Sequence, residues 1–89
     1  MAGYSIFFRS SASRELKAIP KKDLQRIIRR IRALASDPRP AGSEKLSGRE
    51  RYRVRQGDYR VVYALEDSER EVHIVKVGHR RASTVGDLP

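Results

Sequence analysis

The stretch Arg51-Tyr52-Arg53-Val54-Arg55-Gln56-Gly57-Asp58-Tyr59-Arg60-Val61-Val62-Tyr63-Ala64-Leu65 decides the fold. Apolar and basic residues alternate with a period of two on either side of Gln56-Gly57-Asp58. Two such runs joined through a glycine and an aspartate predict a β-hairpin. Strands are expected over Arg51–Arg55 and Tyr59–Glu66. Successive side chains on a strand point to opposite faces, so Tyr52 and Val54 share one face while Arg51, Arg53 and Arg55 share the other. A four-residue loop from Gln56 to Tyr59 sets Arg55 opposite Arg60, and facing residues lie on one side of a sheet. Arg53, Arg55 and Arg60 then stand together, with Tyr59, Val61, Tyr63 and Leu65 turned toward a core.

Working outward, Asp67-Ser68-Glu69-Arg70 supplies the next turn and Glu71–Val77 a third strand. Upstream, residues 4–8 are aromatic and β-favouring and predict a first strand. Ser10 and Ser11 offer N-cap oxygens for a short helix carrying Ala12, Leu16 and Ile19, and Pro20 suits the start of the next helix. From Lys21 to Ser36, residues Leu24, Ile27, Ile28, Ile31, Leu34 and Ala35 recur at helical spacing and make one apolar stripe. Arg26, Arg29, Arg30 and Arg32 take the other faces, where a solvated helix surface accounts for them as well as a polyanionic partner does. Asp37-Pro38-Arg39-Pro40-Ala41-Gly42 stops that helix, and a loop runs on through Gly48. The expected fold is α+β: one small domain over 1–89 in the order β-α-α-β-β-β, its mainly antiparallel sheet carrying two helices on one face. The other face is left open.

Composition narrows the function classes. Twenty Lys+Arg against eleven Asp+Glu give a formal net charge of +9, and a compact domain with that charge attracts polyanions. Nucleic acid, anionic lipid and an acidic protein all fit. Arginine outnumbers lysine, and its planar fork matches phosphate. No cysteine is present, so disulfides and thiolate metal sites are excluded. The opening MAGYSIFFRS lacks a basic leader with a long apolar run, and no stretch approaches the ~18 apolar residues of a membrane span, so a cytoplasmic location is expected. Asp58, Glu66 and Asp67 fall in or beside turns rather than at metal-binding spacing, so neither metal nor cofactor is expected.

Three guanidinium groups on one sheet face repel one another by about 3 kcal/mol per pair at ~5 Å and an effective dielectric near ~20, before salt screening. Thr or Gln would avoid that cost in a purely structural sheet. The cluster therefore points to an anionic ligand, with phosphate the simplest. Gly78-His79-Arg80-Arg81 follows the last strand and sets a basic turn at the sheet's end, within reach of the same phosphate. Lys45, Arg51 and Arg81 are flanking candidates for RNA binding. His73, mid-strand, is expected to be structural.

The run Tyr52 to Tyr63, together with Val77-Gly78-His79-Arg80, Asp37-Pro38-Arg39-Pro40 and Lys45-Leu46-Ser47-Gly48, resembles the RelE branch of the RelE/ParE toxin superfamily, over about Tyr4 to Ser83. That resemblance implies a toxin that enters the ribosomal A site and cuts the mRNA codon there. The ribose 2′-hydroxyl attacks the adjacent phosphate and leaves a cyclic phosphate and a free 5′-hydroxyl. It places Arg53 and Arg55 at the first two basic active-site positions, Arg60 at the residue that stabilises the transition state, and Arg80 at the general acid. It also implies an acidic, partly disordered RelB-like antitoxin as partner, beside the ribosome and mRNA. The tyrosine that such toxins carry after the last arginine is missing, with Gly86 nearest its place. Arginine is a poor general base, so His79, a residue type that exchanges protons near neutral pH, becomes the acid–base candidate. The missing tyrosine keeps two rivals open: a ParE-like toxin that poisons DNA gyrase, and an inactive nucleic-acid-binding relic of the fold.

Overall fold

A computed structural model describes residues 3–46 and 50–79 of the chain. Its elements are β1 (Ser5–Phe8), α1 (Ser10–Lys17), α2 (Lys21–Ala33), β2 (Glu44–Leu46), β3 (Arg51–Gln56), β4 (Tyr59–Glu66) and β5 (Glu71–His79). They build a five-stranded sheet in the order β1-β5-β4-β3-β2. The three strands of the meander pair antiparallel, as their short turns demand. β1 lies parallel to β5, a pairing that needs the long crossover which α1 and α2 provide.

The β3–β4 turn is tighter than the four residues expected. Pairing continues to Gln56↔Tyr59, leaving Gly57 and Asp58 as the loop. Gly57 has φ +62, a conformation that costs a residue with a Cβ about 1–2 kcal/mol. The facing of Arg55 and Arg60 is unchanged by the shorter loop.

One strand was not expected. β2 lies within the segment read as loop, antiparallel to β3 with Glu44↔Arg53 in register. Three residues, two of them charged, show no alternation to read.

Tyr52, Val54, Val61, Tyr63, Leu65, Val72, Ile74 and Val77 form the inner face of the sheet and are buried against Ala12, Leu16, Ile27, Ile31 and Leu34. The predicted α2 stripe thus meets the predicted strand faces. Ile27 and Ile31 are each fully buried, worth about 1.5–3 kcal/mol apiece by transfer of their side chains. The last turn of the expected helix tightens: Leu34, Ala35 and Ser36 donate backbone N–H groups three residues back, so α2 ends at Ala33.

The serines do not cap α1. Arg9 holds the N-cap position without a side-chain bond, and the Ser11 hydroxyl instead donates to the Val75 carbonyl at 3.0 Å. Glu15, one turn on, accepts from the Val77 N–H at 2.8 Å. These groups sit past the end of β1, where Arg9 N–H to the Ile74 carbonyl is the final bond of that ladder. α1 therefore satisfies an edge of β5 that β1 is too short to cover. The covered segment contains a β-bulge: Val62 faces Lys76 while Tyr63 faces Ile74, leaving Val75 as the extra residue.

Candidate nucleic-acid interface

The face of the sheet turned away from the helices is laid out in rows fixed by strand register. Arg55 faces Arg60, and Arg60 faces Gly78. Two residues along, Glu44, Arg53, Val62 and Lys76 stand side by side. Two further along come Leu46, Arg51, Ala64, His73 and Phe7. The structure therefore brings together Arg51, Arg53, Arg55 and Arg60, four of the residues singled out from sequence.

Their surroundings differ. Arg53 is tied to Glu44, donating from Nε at 3.1 Å and from Nη2 to the same carboxylate oxygen. Arg51, Arg55 and Arg60 have no side-chain hydrogen bond or ion pair among the described residues. Convergence shows in the Glu44 carboxyl, held below the usual range first by its bond from Arg53, then by the Arg53 charge, with smaller pulls from the charges of Arg55 and Arg60. One acid thus senses all three guanidinium groups. It was not found from sequence because β2 carries no strand signal.

Chemically, this is an open cationic cradle. Arg55 is exposed and Arg60 half-buried, so an anion reaches both without a change of fold. Guanidinium forks at neighbouring positions suit the oxygens of one phosphoryl group, and fixed cations stabilise charge that develops there.

Two expected members lie elsewhere. The bulge at Val75 shifts the alternation, so Gly78 rather than His79 faces Arg60. His79 packs edge-on against Tyr59 with ring centroids 5.0 Å apart, on the helix side of the sheet. There it lines a cleft of about 180 Å³ with Asp23, Arg26, Gln56 and Asp58. The structure does not join His79 to the arginine cradle. Lys45 faces Tyr52 in register, also on the inner side, and its ammonium pairs with Glu50 at 3.1 Å. It belongs to a network at the other end of the hairpin rather than to the cradle. Arg80 and Arg81 lie outside the described residues.

Among the described residues no three His, Asp or Glu side chains gather as a metal-holding group, and no helix is long and apolar enough to cross a membrane.

Comparison with known proteins bears on the same chain. The family described as ParE toxin of type II toxin-antitoxin system, parDE, matches residues 6–83. A relative, Toxin RelE of Mycobacterium tuberculosis, is 30% identical over 82 residues, which span 90% of this chain and 84% of that protein. The solved toxin–antitoxin complex RelBE2 from Mycobacterium tuberculosis is similar with a TM-score of 0.78 at 26% identity, over 88% of this chain and 99% of that one. The archaeal RelE–RelB complex from Pyrococcus horikoshii gives 0.76 at 26% identity, over 90% and 97% respectively.

Proposed function

The chain belongs to the ParE toxin family of type II toxin–antitoxin systems, in the RelE/ParE superfamily, and on that premise we propose that it is a ribosome-dependent endoribonuclease cutting mRNA in the A site. One observation carries this reading: Arg55 and Arg60 face each other on the outer sheet face with no ion pair among the described residues.

In the proposed reaction the 2′-hydroxyl of the ribose gives its proton to solvent water as its oxygen bonds to the adjacent phosphorus, and the bond to the 5′-oxygen breaks. The products are a 2′,3′-cyclic phosphate and a 5′-hydroxyl. Negative charge grows on the non-bridging oxygens during attack, and Arg60 and Arg55 meet it from fixed positions. Arg53 joins them when the phosphate displaces Glu44, whose side chain is 57% exposed and so released into water at small cost. The proton required by the leaving 5′-oxygen is assigned to Arg80 on the family resemblance alone. Alignment of the 2′-hydroxyl falls to the ribosome-bound codon, since positioning by itself supplies several kcal/mol of catalysis. An acidic antitoxin is the partner that neutralises this surface; the two structural relatives named above are themselves toxin–antitoxin complexes.

Toeprinting on translating ribosomes tests the reading. Codon-centred cuts are expected with the wild-type chain, and a loss of two or more orders of magnitude with Arg60→Ala at unchanged melting temperature. Inhibition of supercoiling in place of mRNA cuts would move the chain to the gyrase-poisoning branch. Equal cutting by wild type and Arg60→Ala would refute the assigned role.

A further inference from the structure

The cradle's Arg53 row is followed, one row on, by an aromatic feature that phosphate chemistry does not use. In the row Leu46, Arg51, Ala64, His73, Phe7, the central residue on β4 is the smallest. On one side of Ala64, the His73 ring is held from behind. Phe7 stacks on it with centroids 5.2 Å apart and planes 20° from parallel, and Glu71 bonds Nε2 at 2.9 Å. On the other side stands Arg51, with no side-chain partner among the described residues. β3 and β5 are two strand spacings apart, about 9.6 Å. A base stacked between two planar groups needs ~7 Å, twice the ~3.4 Å rise of a nucleic-acid strand.

We infer that Ala64 floors a slot that takes one unpaired RNA base, sandwiched between the His73 imidazole and the Arg51 guanidinium. The inference rests on the RNA-handling reading above and adds a base-binding position to it. Three things converge. The wall is planar and fixed from two sides, its aromatic backing Phe7 being 44% exposed rather than core. The floor carries only a methyl group. The surrounding face carries Arg51, Arg53, Arg55 and Arg60; of its acids, Glu44 and Glu71 are each engaged by a neighbour, and exposed Glu66 stands one row beyond Ala64, on the side away from the cradle. Two residues along a strand span ~6.8 Å, so a phosphate at Arg53 lies one row from a base over Ala64. Base–aromatic stacking tolerates any base, so the slot positions the strand without reading its sequence.

The test is equilibrium binding of the full chain to two single-stranded probes without ribosomes: an oligouridylate hexamer, and a ribose-phosphate hexamer lacking bases. The wild type is expected to prefer the base-bearing probe. Ala64→Leu fills the slot, and Phe7→Ala and His73→Ala remove its wall. Each is expected to weaken oligouridylate binding about tenfold, a typical loss for one stacked base, and to leave the abasic probe untouched. Arg51→Lys keeps the charge and is expected to show the same selective loss, while Phe7→Tyr retains wild-type affinity. Parallel losses on both probes, no losses, or no preference in the wild type would each overturn the slot. So would slot variants that lose affinity for an acidic peptide while holding RNA as before. Ala64→Leu adds bulk at a half-buried surface position, so it remains informative if His73→Ala unfolds. The two readings separate cleanly: a wild type that cuts no mRNA yet shows the selective losses defeats the nuclease and keeps the slot.

Discussion

Two arginine sites at opposite ends of the same hairpin show what the net charge conceals. Arg39 donates from Nε to the Tyr52 hydroxyl at 2.9 Å and from Nη2 to Asp67 at 2.7 Å and Glu50 at 3.2 Å, and its guanidinium lies 5.2 Å from the Tyr52 ring centre. Tyr4 and Tyr52 donate to those same carboxylates, and Lys45 pairs with Glu50. The bonds that Arg39 donates to Asp67 and Tyr52 push its pKa up, and Arg39 holds the Asp67 carboxyl below its ordinary range. At the other end Arg55 and Arg60 face each other, and among the described residues the acid that senses them, Glu44, is held by Arg53. The first site is complete within the chain and pins the proline loop to the sheet. The second leaves Arg55 and Arg60 without an ion pair among the described residues, a repulsion that the proposed phosphate would relieve.

Supplying the missing acid is the sharpest way to break this contrast. Val62 faces Arg53 across the hairpin and shares a face with Arg60 on its own strand. Val62→Glu gives the cradle an internal counter-ion. Toxicity is expected to fall by at least two orders of magnitude in a growth assay. Thermal unfolding is expected to rise by a few degrees, since a cross-strand ion pair contributes about 0.2–1 kcal/mol. Unchanged toxicity in a stabilised variant would show that the cradle is not used.

The converse change acts on the other cluster. Arg39→Ala is expected to lower the melting temperature by about 4–8 °C, the equivalent of about 1 kcal/mol in a domain of this size. Mutually exposed pairs alone contribute less than their number implies; here the ring contact and the bond to Tyr52 add to them. Toxicity per folded molecule is expected to hold, measured at a temperature where the variant is fully folded. A fall as deep as that of Arg60→Ala would erase the distinction between the sites.

Much of this was legible in the sequence because one face of each element is buried. Alternation from Arg51 to Leu65 decides which residues enter the core, and it sets Arg55 across from Arg60. Two short-range features escaped. β2 has too few residues and too little apolar character to declare itself, so Glu44, the acid that senses the whole cradle, was read as loop. The bulge at Val75 has no local signature either, because the Val75 carbonyl and the Val77 N–H beyond it are satisfied by Ser11 and Glu15, more than sixty residues away in sequence. Strict alternation from His73 would carry His79 to the arginine face, and one extra residue reverses it. A site residue near a strand end is thus only as legible as the strand is regular.

Acid titration is the mildest test of the two arginine sites, because it touches only the acids. Asp67 is held below its ordinary 3.8 by bonds from Arg39 and then Tyr4, and Glu50 below 4.5 by bonds from Lys45, Tyr52 and Arg39. A carboxyl whose pKa is depressed by folding adds stability above its unfolded value and loses it as pH falls through the folded value. The wild type is therefore expected to keep its melting temperature from neutrality down to about pH 5 and to weaken below that. Arg39→Ala has already lost much of this interaction, so its deficit relative to wild type should narrow as Asp67 and Glu50 take up protons. Melting curves from about pH 7 to about pH 2.5 for both proteins give the gap directly. Arg55 and Arg60 act on the slope only through their small pull on the Glu44 carboxyl, which both proteins share. A gap that stays constant to the lowest pH would mean that Arg39 stabilises through packing on Tyr52 rather than through its carboxylates, and the electrostatic contrast between the two ends would lose its basis.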